Sequence, residues 1–278
     1  MISRRNLIAA ATATVAAAKP RRLAEYGWVW DGQGFNGGVN PSIFGTGEGA
    51  AYFGIPRVCS MFHPNNTLAA EKLKSFKEVV FEISKWKVRR CDNGVAHTLD
   101  GKLQTKTEEA AAVSALAARY KNITGAIDDD LMGVIKRDKL APSAYAAVPA
   151  ALKRAGSRMK LWTVVYTREL IAADWQGFQS SADIIHLYES DPRKMPELDG
   201  ALELCGQIFP GKPIVLGCYL RDFRARSGMP HDMLELQWNK VARWVAHGAI
   251  AGYAVLGGFL IDQHEPEARW VRDFIKAH

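Results

Sequence analysis

Eight short apolar runs, each of strand length and bounded by turn residues, constrain this chain more than any other feature. They fall at residues 26–30, 57–62, 79–83, 123–127, 160–166, 184–188, 214–219 and 252–256. Between most of them lie helix-length segments with apolar residues at three- and four-residue spacing. Segment 107–121 is alanine-rich, and segment 232–247 sets Leu234, Val241, Trp244 and Val245 on one face. Segment 265–277 closes the chain, with Pro266 in its first turn, where the missing N–H costs nothing. Gly156, Gly211 and Gly248 supply helix stops.

Eight alternating strand–helix units in one domain predict an α/β fold, a (β/α)₈ TIM barrel. One departure is expected. Residues 31–54 should hold the first helix but carry eight glycines, among them Gly37, Gly38, Gly45 and Gly47. Such a segment is expected to be a long irregular loop that overhangs a site. The competing doubly wound sheet would need a Gly-x-Gly-x-x-Gly that opens a helix after a strand; the one such spacing, at residues 32–37, lies in the expected loop, so no nucleotide fingerprint is read.

The first eighteen residues read as an address. Ser3-Arg4-Arg5 precedes an apolar run from Leu7 to about Val15, and Ala16-Ala17-Ala18 supplies a cleavage site before Lys19. The paired arginines match a twin-arginine signal peptide over 1–18, leaving 19–278 as a single barrel domain. The run is too short and too alanine-rich for a membrane span. A periplasmic or secreted protein without stable membrane insertion is expected. Taking Arg4 and Arg5 from the 36 basic residues leaves 34 against 29 acidic ones. These charges are scattered, which argues against nucleic acid as a partner. The four cysteines, Cys59, Cys91, Cys205 and Cys218, lack metal-site spacing, and two of them lie inside apolar runs. No metal and no cofactor are expected; the oligomeric state is left open.

Ligands bind at the carboxyl ends of barrel strands. Taken in order, those ends offer Trp28, Trp30 and Asp31, then His63, then Glu82 with Trp86. Next come Asp128 and Asp129, Tyr166, Glu189, and finally Tyr219 with Asp222. The fourth run stops in three adjacent carboxylates, Asp128, Asp129 and Asp130, which repel one another and so are not placed for stability. Carboxylates for hydroxyl groups and flat aromatic faces for C–H faces suit a carbohydrate substrate. His186, inside a strand, reads as a satisfied core histidine, and Lys85 and Arg168 as binders of an acidic sugar or plain ion-pair partners.

The Gly-Ala-Ile-Asp-Asp-Asp stretch resembles the Asp-Asp strand end of several TIM-barrel glycoside hydrolase clans. The stretch from Lys212 onward, with Pro-Ile-Val-Leu-Gly-Cys-Tyr-Leu-Arg-Asp-Phe, is similar to a group of secreted bacterial barrel proteins. The resemblance implies a glycosidase-like barrel without assigning its catalytic pair. Glycoside hydrolysis needs one protonated and one ionised carboxyl group. Asp129 and Glu189 are the expected pair, with Asp128 binding or orienting, because successive strand residues point to opposite faces. Glu82 and Asp222 stand in reserve. Two alternatives remain open. One is a metal-dependent sugar isomerase, epimerase or lyase using Glu82, Asp129, Glu189 and a histidine. The other is a non-catalytic carbohydrate-binding protein.

Overall fold

The computed structural model describes residues 22–32, 39–40, 42–91, 94–156 and 158–278, with the backbone alone at 86–91, 94–99 and 155. The expected leader at 1–18 lies outside these residues. Eight parallel strands close a barrel: β1 Gly27–Asp31, β2 Arg57–Ser60, β3 Glu78–Glu82, β4 Ile123–Asp128, β5 Lys160–Tyr166, β6 Ile184–Tyr188, β7 Ile214–Tyr219 and β8 Gly252–Leu256. Each pairs with its successor in sequence, and β8 pairs with β1. Strands β5 to β8 span the expected runs to the residue.

The outer layer holds α1 Glu48–Phe53, α2 Thr67–Lys72, α3 Leu103–Arg119, α4 Leu131–Asp138, α5 Pro142–Tyr145, α6 Ala147–Leu152, α7 Leu198–Ile208, α8 His231–His247 and α9 Glu265–Ala277. Among the described residues no helix is long and apolar enough to cross a membrane. Three features depart from the sequence expectation. The glycine-rich segment after β1 is not wholly irregular, because it contains α1. After β5 the chain makes short 3₁₀ turns at Thr167–Glu169 and Ala172–Trp175 in place of an α-helix. An antiparallel hairpin, Trp86–Cys91 with Gly94–Leu99, intervenes between β3 and α3. Its first strand carries Lys87, Arg89 and Arg90, so it does not stand out as an apolar run.

Strand pleating decides which side chains enter the barrel. Trp28 meets Trp162 at 5.0 Å between ring centroids, and Trp30 meets His186 at 5.5 Å and Tyr188 at 5.3 Å. Contacts between β1 and the non-neighbouring β5 and β6 can form only inside the barrel. Gly217 makes room for this layer: a Cβ there would lie 1.8 Å from a Tyr188 ring carbon. The opposite parity faces the helices, as Tyr253 does against Trp238 of α8. Cys59, Cys205 and Cys218 are buried free thiols.

Candidate active site

The pleat that turns Tyr188 inward also sorts the acidic residues at the strand ends. On β3, Glu82 points inward and is fully buried. On β4, Ile127 sits beside Glu82 in register, so Asp129, two residues further on, shares its face. The charge of Glu82 acts on Asp129, as do those of Asp130 and Asp128. Burial first, and then these like charges, push the Asp129 carboxyl well above the usual carboxylate range. Burial raises Glu82 too, but its surroundings oppose the rise. Its two oxygens accept hydrogen bonds from the amides of Lys85 (2.6 Å) and Phe62 (3.2 Å). The Lys85 ammonium stands 3.9 Å from Glu82. Of the two carboxyls, Asp129 is therefore pushed further toward its protonated form.

The backbone around the pair is strained. Phe62 (φ 62°), Lys85 (φ 51°) and Asp130 (φ 52°) all occupy the left-handed region that L residues disfavour. They follow three neighbouring strands, β2, β3 and β4. All three donate their amide N–H to the pair, with Asp130 N–H reaching Asp129 Oδ1 at 2.9 Å. Such strain costs on the order of 1–3 kcal/mol per residue and concentrates at functional sites.

Asp128 has the other parity. Its oxygens accept from the buried Lys106 of α3, from Ser84 Oγ (3.3 Å) and from Tyr145 Oη (2.7 Å). Both oxygens are occupied, so Asp128 anchors the strand end and is not open to a substrate hydroxyl. Ser84 in turn accepts the Asp129 amide at 2.5 Å, which ties the outward network to the inward carboxylate. Lys106, Ser84 and Tyr145 were missed from sequence. Lys106 carried a signal: it shares a stripe of α3 with the buried Ala110, Val113 and Ala117.

Near the pair, Tyr166 and Tyr219 flank Tyr188, whose ring centroid lies 6.1 and 5.2 Å from theirs. Arg168 lies 4.1 Å over the Tyr166 ring. Burial and the neighbouring Asp129 push both phenols upward, so they remain neutral donors.

Several expected site residues lie elsewhere. Asp31 points outward, where its Oδ2 accepts from the amides of Gly47 (3.1 Å) and Ala50 (3.0 Å) at the start of α1. Burial raises its carboxyl to about 7. Glu189 also has outward parity; it accepts from Thr167 Oγ1 and from the Asp191 amide (2.7 Å), beside a cleft bordered by α7. Asp129 thus faces Glu82 and not Glu189. Asp222 caps the turn of a small hairpin after β7, accepting the amides of Arg224 and Ala225. Trp28 and Trp30, expected as stacking platforms, are packing residues of the barrel interior. His63 lines a separate cleft beside β2, and the Trp86 side chain lies outside the described residues. His186 is a core residue, but not a satisfied one. Neither ring nitrogen meets a partner among the described residues, and burial lowers its pKa to about 3, leaving it neutral.

Among the described residues no three His, Cys, Asp or Glu side chains gather as a metal-ligand set. A scan against protein-family models and a search of curated proteins found no match. Solved structures do resemble the barrel. A calcium-binding mutant of β-glucuronidase 2 from Bacteroides uniformis superposes with a TM-score of 0.56 at 12% identity, over 86% of this chain and 31% of that one. A Bacteroides uniformis β-glucuronidase gives 0.54 at 10% identity, over 85% and 30%. A thermostable mutant of a xylanase from Cellvibrio japonicus gives 0.50 at 12% identity, over 84% and 86%. The chain therefore spans about a third of the Bacteroides proteins it resembles. At these identities the likeness is one of fold, and the fold is a (β/α)₈ barrel.

Proposed function

We propose that this barrel is a glycoside hydrolase in which Asp129 is the general acid and Glu82 the ionised partner. One observation carries the reading: the three left-handed, non-glycine residues after β2, β3 and β4 all aim their amides at these two carboxylates. The surroundings are asymmetric in the sense the chemistry requires. Burial and then like charges push Asp129 well above the usual carboxylate range, whereas burial raises Glu82 against two amides and an ammonium that favour its anion. Tyr166 and Tyr219 supply neutral donors and aromatic faces for a sugar ring. The carbohydrate-active neighbours in fold add support by analogy alone. We also infer that the chain is exported through its leader, after the barrel has folded.

The test is incubation of the protein with a broad panel of glycans and aryl glycosides, with and without chelator. Asp129→Asn and Glu82→Gln should each lower turnover by about 10²–10⁴-fold, while Glu189→Gln should leave it within a few-fold. The reverse pattern would restore Glu189 as the partner and remove Glu82. A second reading rests on burial: Glu82 is 0% and Asp129 4% exposed. A non-catalytic carbohydrate-binding barrel would bind members of the same panel and release no reducing ends from any of them.

A further inference from the structure

A cleft of about 520 Å³ opens beside the end of β2, between residues 42–48 and the face of α2 that carries Leu68, Ala69 and Lys72. Its volume lies in the range that holds small organic ligands, and the acid pair does not use it. Ser60, the last residue of β2, lines it; its side chain is 2% exposed and Oγ has no partner among the described residues. A buried hydroxyl left unpaired is costly, and a ligand entering the cleft can supply its partner. Glu48 and Lys72 border one spot, since a Cβ on Gly45 would lie 3.5 Å from Glu48 Oε1 and from Lys72 Nζ alike. His63 completes the polar lining; burial and the charges of Lys85 and Lys72 lower its pKa, so its ring is neutral. One cation, one carboxylate, one neutral imidazole and one hydroxyl offer donors and acceptors without an excess of either sign. That mixture suits a neutral polyol better than an anion or a cation. At the rim, Ile43 and Leu68 are 82% and 79% exposed, large apolar side chains that the C–H faces of a sugar would cover.

The cleft adjoins the acid pair. His63 lines it, the His63 carbonyl accepts from Lys85 Nζ at 2.8 Å, and the Lys85 amide donates to Glu82. We propose that the cleft is a remote sugar-binding subsite, so that the substrate is a neutral oligosaccharide reaching from the acid pair to α2. This rests on the glycoside hydrolase reading for its purpose, though not for its measurement.

The measurement is calorimetric titration of full-length Glu82→Gln protein with cello-, xylo-, laminari- and malto-oligosaccharides of two to six units. In one series, affinity should rise about tenfold with length. The rise should vanish when Ser60→Ala and Lys72→Met are added, with affinity for the shortest member unchanged. Leu68→Ser, at an exposed position where folding is not at risk, should reduce the rise about threefold. No rise in any series, or a rise that survives all the cleft substitutions, overturns the subsite. Should Glu82→Gln turn over substrate like the parent while the cleft-dependent rise persists, the subsite stands and the acid pair falls.

Discussion

Burial, and then the like charges of Asp130, Glu82 and Asp128, push the Asp129 carboxyl up, whereas at Glu82 an ammonium and two amides oppose the rise that burial causes. Each limb of an activity–pH profile should answer to a different neighbour. Lys85→Met removes the positive charge at Glu82, raises its pKa, and should move the acidic limb to higher pH. Asp130→Asn removes a like charge at Asp129, lowers its pKa, and should move the basic limb to lower pH. Limbs that stay in place in both variants would mean that other groups titrate. At this scale the sequence was half legible. Alternation separated Asp128 from Asp129, and the same rule applied to Asp31 and Glu189 turns both outward. That extension needs the facing of Trp30 and Tyr188, which depends on packing across the barrel and on Gly217 giving up a side chain to the Tyr188 ring.

Helices α1 and α3 each meet the barrel through a buried carboxylate, and the two contacts respond oppositely to their partners. Lys106 of α3 and Asp128 are both fully buried and paired, so Lys106→Met leaves a charge uncompensated and should cost about 3–5 kcal/mol. Adding Asp128→Asn should recover part of that loss, read as the midpoint of urea unfolding. Among the described residues no cation bonds to Asp31; it meets the amides of Gly47 and Ala50 while buried, and its carboxyl is raised to about 7 from an ordinary 3.8. Below about pH 4 it is protonated in both the folded and the unfolded chain. As pH rises toward 7 the unfolded chain releases this proton first, so stability falls through that window by up to roughly 4 kcal/mol. Asp31→Asn keeps an acceptor for the Gly47 and Ala50 amides and never ionises. Its melting temperature should exceed the parent's at pH 8 and converge with it near pH 4; equal melting at both pH values would place the Asp31 pKa near normal. Helix α3 was visible as an alanine-rich apolar segment, whereas α1 lay inside the glycine-rich stretch read as a loop. The hairpin between β3 and α3 was not visible, because its alternation is carried by charged residues that no burial pattern reveals.

The barrel closes by pairing β1, near the start of the described chain, with β8, near its end. The eight-run pattern made that closure legible, since eight consecutive parallel strands leave two edges that only mutual pairing removes. Closure joins residues far apart in sequence, so the ring is complete only when the whole chain is available. Cys59, Cys205 and Cys218 are buried free thiols, shielded from reagents while the barrel is closed. The proposed twin-arginine leader, with Ser3-Arg4-Arg5, would carry a protein that has already folded. Replacing Arg4 and Arg5 by Lys should therefore leave a folded, protease-resistant precursor in the cytoplasm, with its leader uncleaved. Its three buried thiols should react with a thiol reagent only after denaturation. Export of this variant at the parental rate would rule out the twin-arginine route. Reaction of these thiols in the native precursor would show that the barrel had not closed before transport.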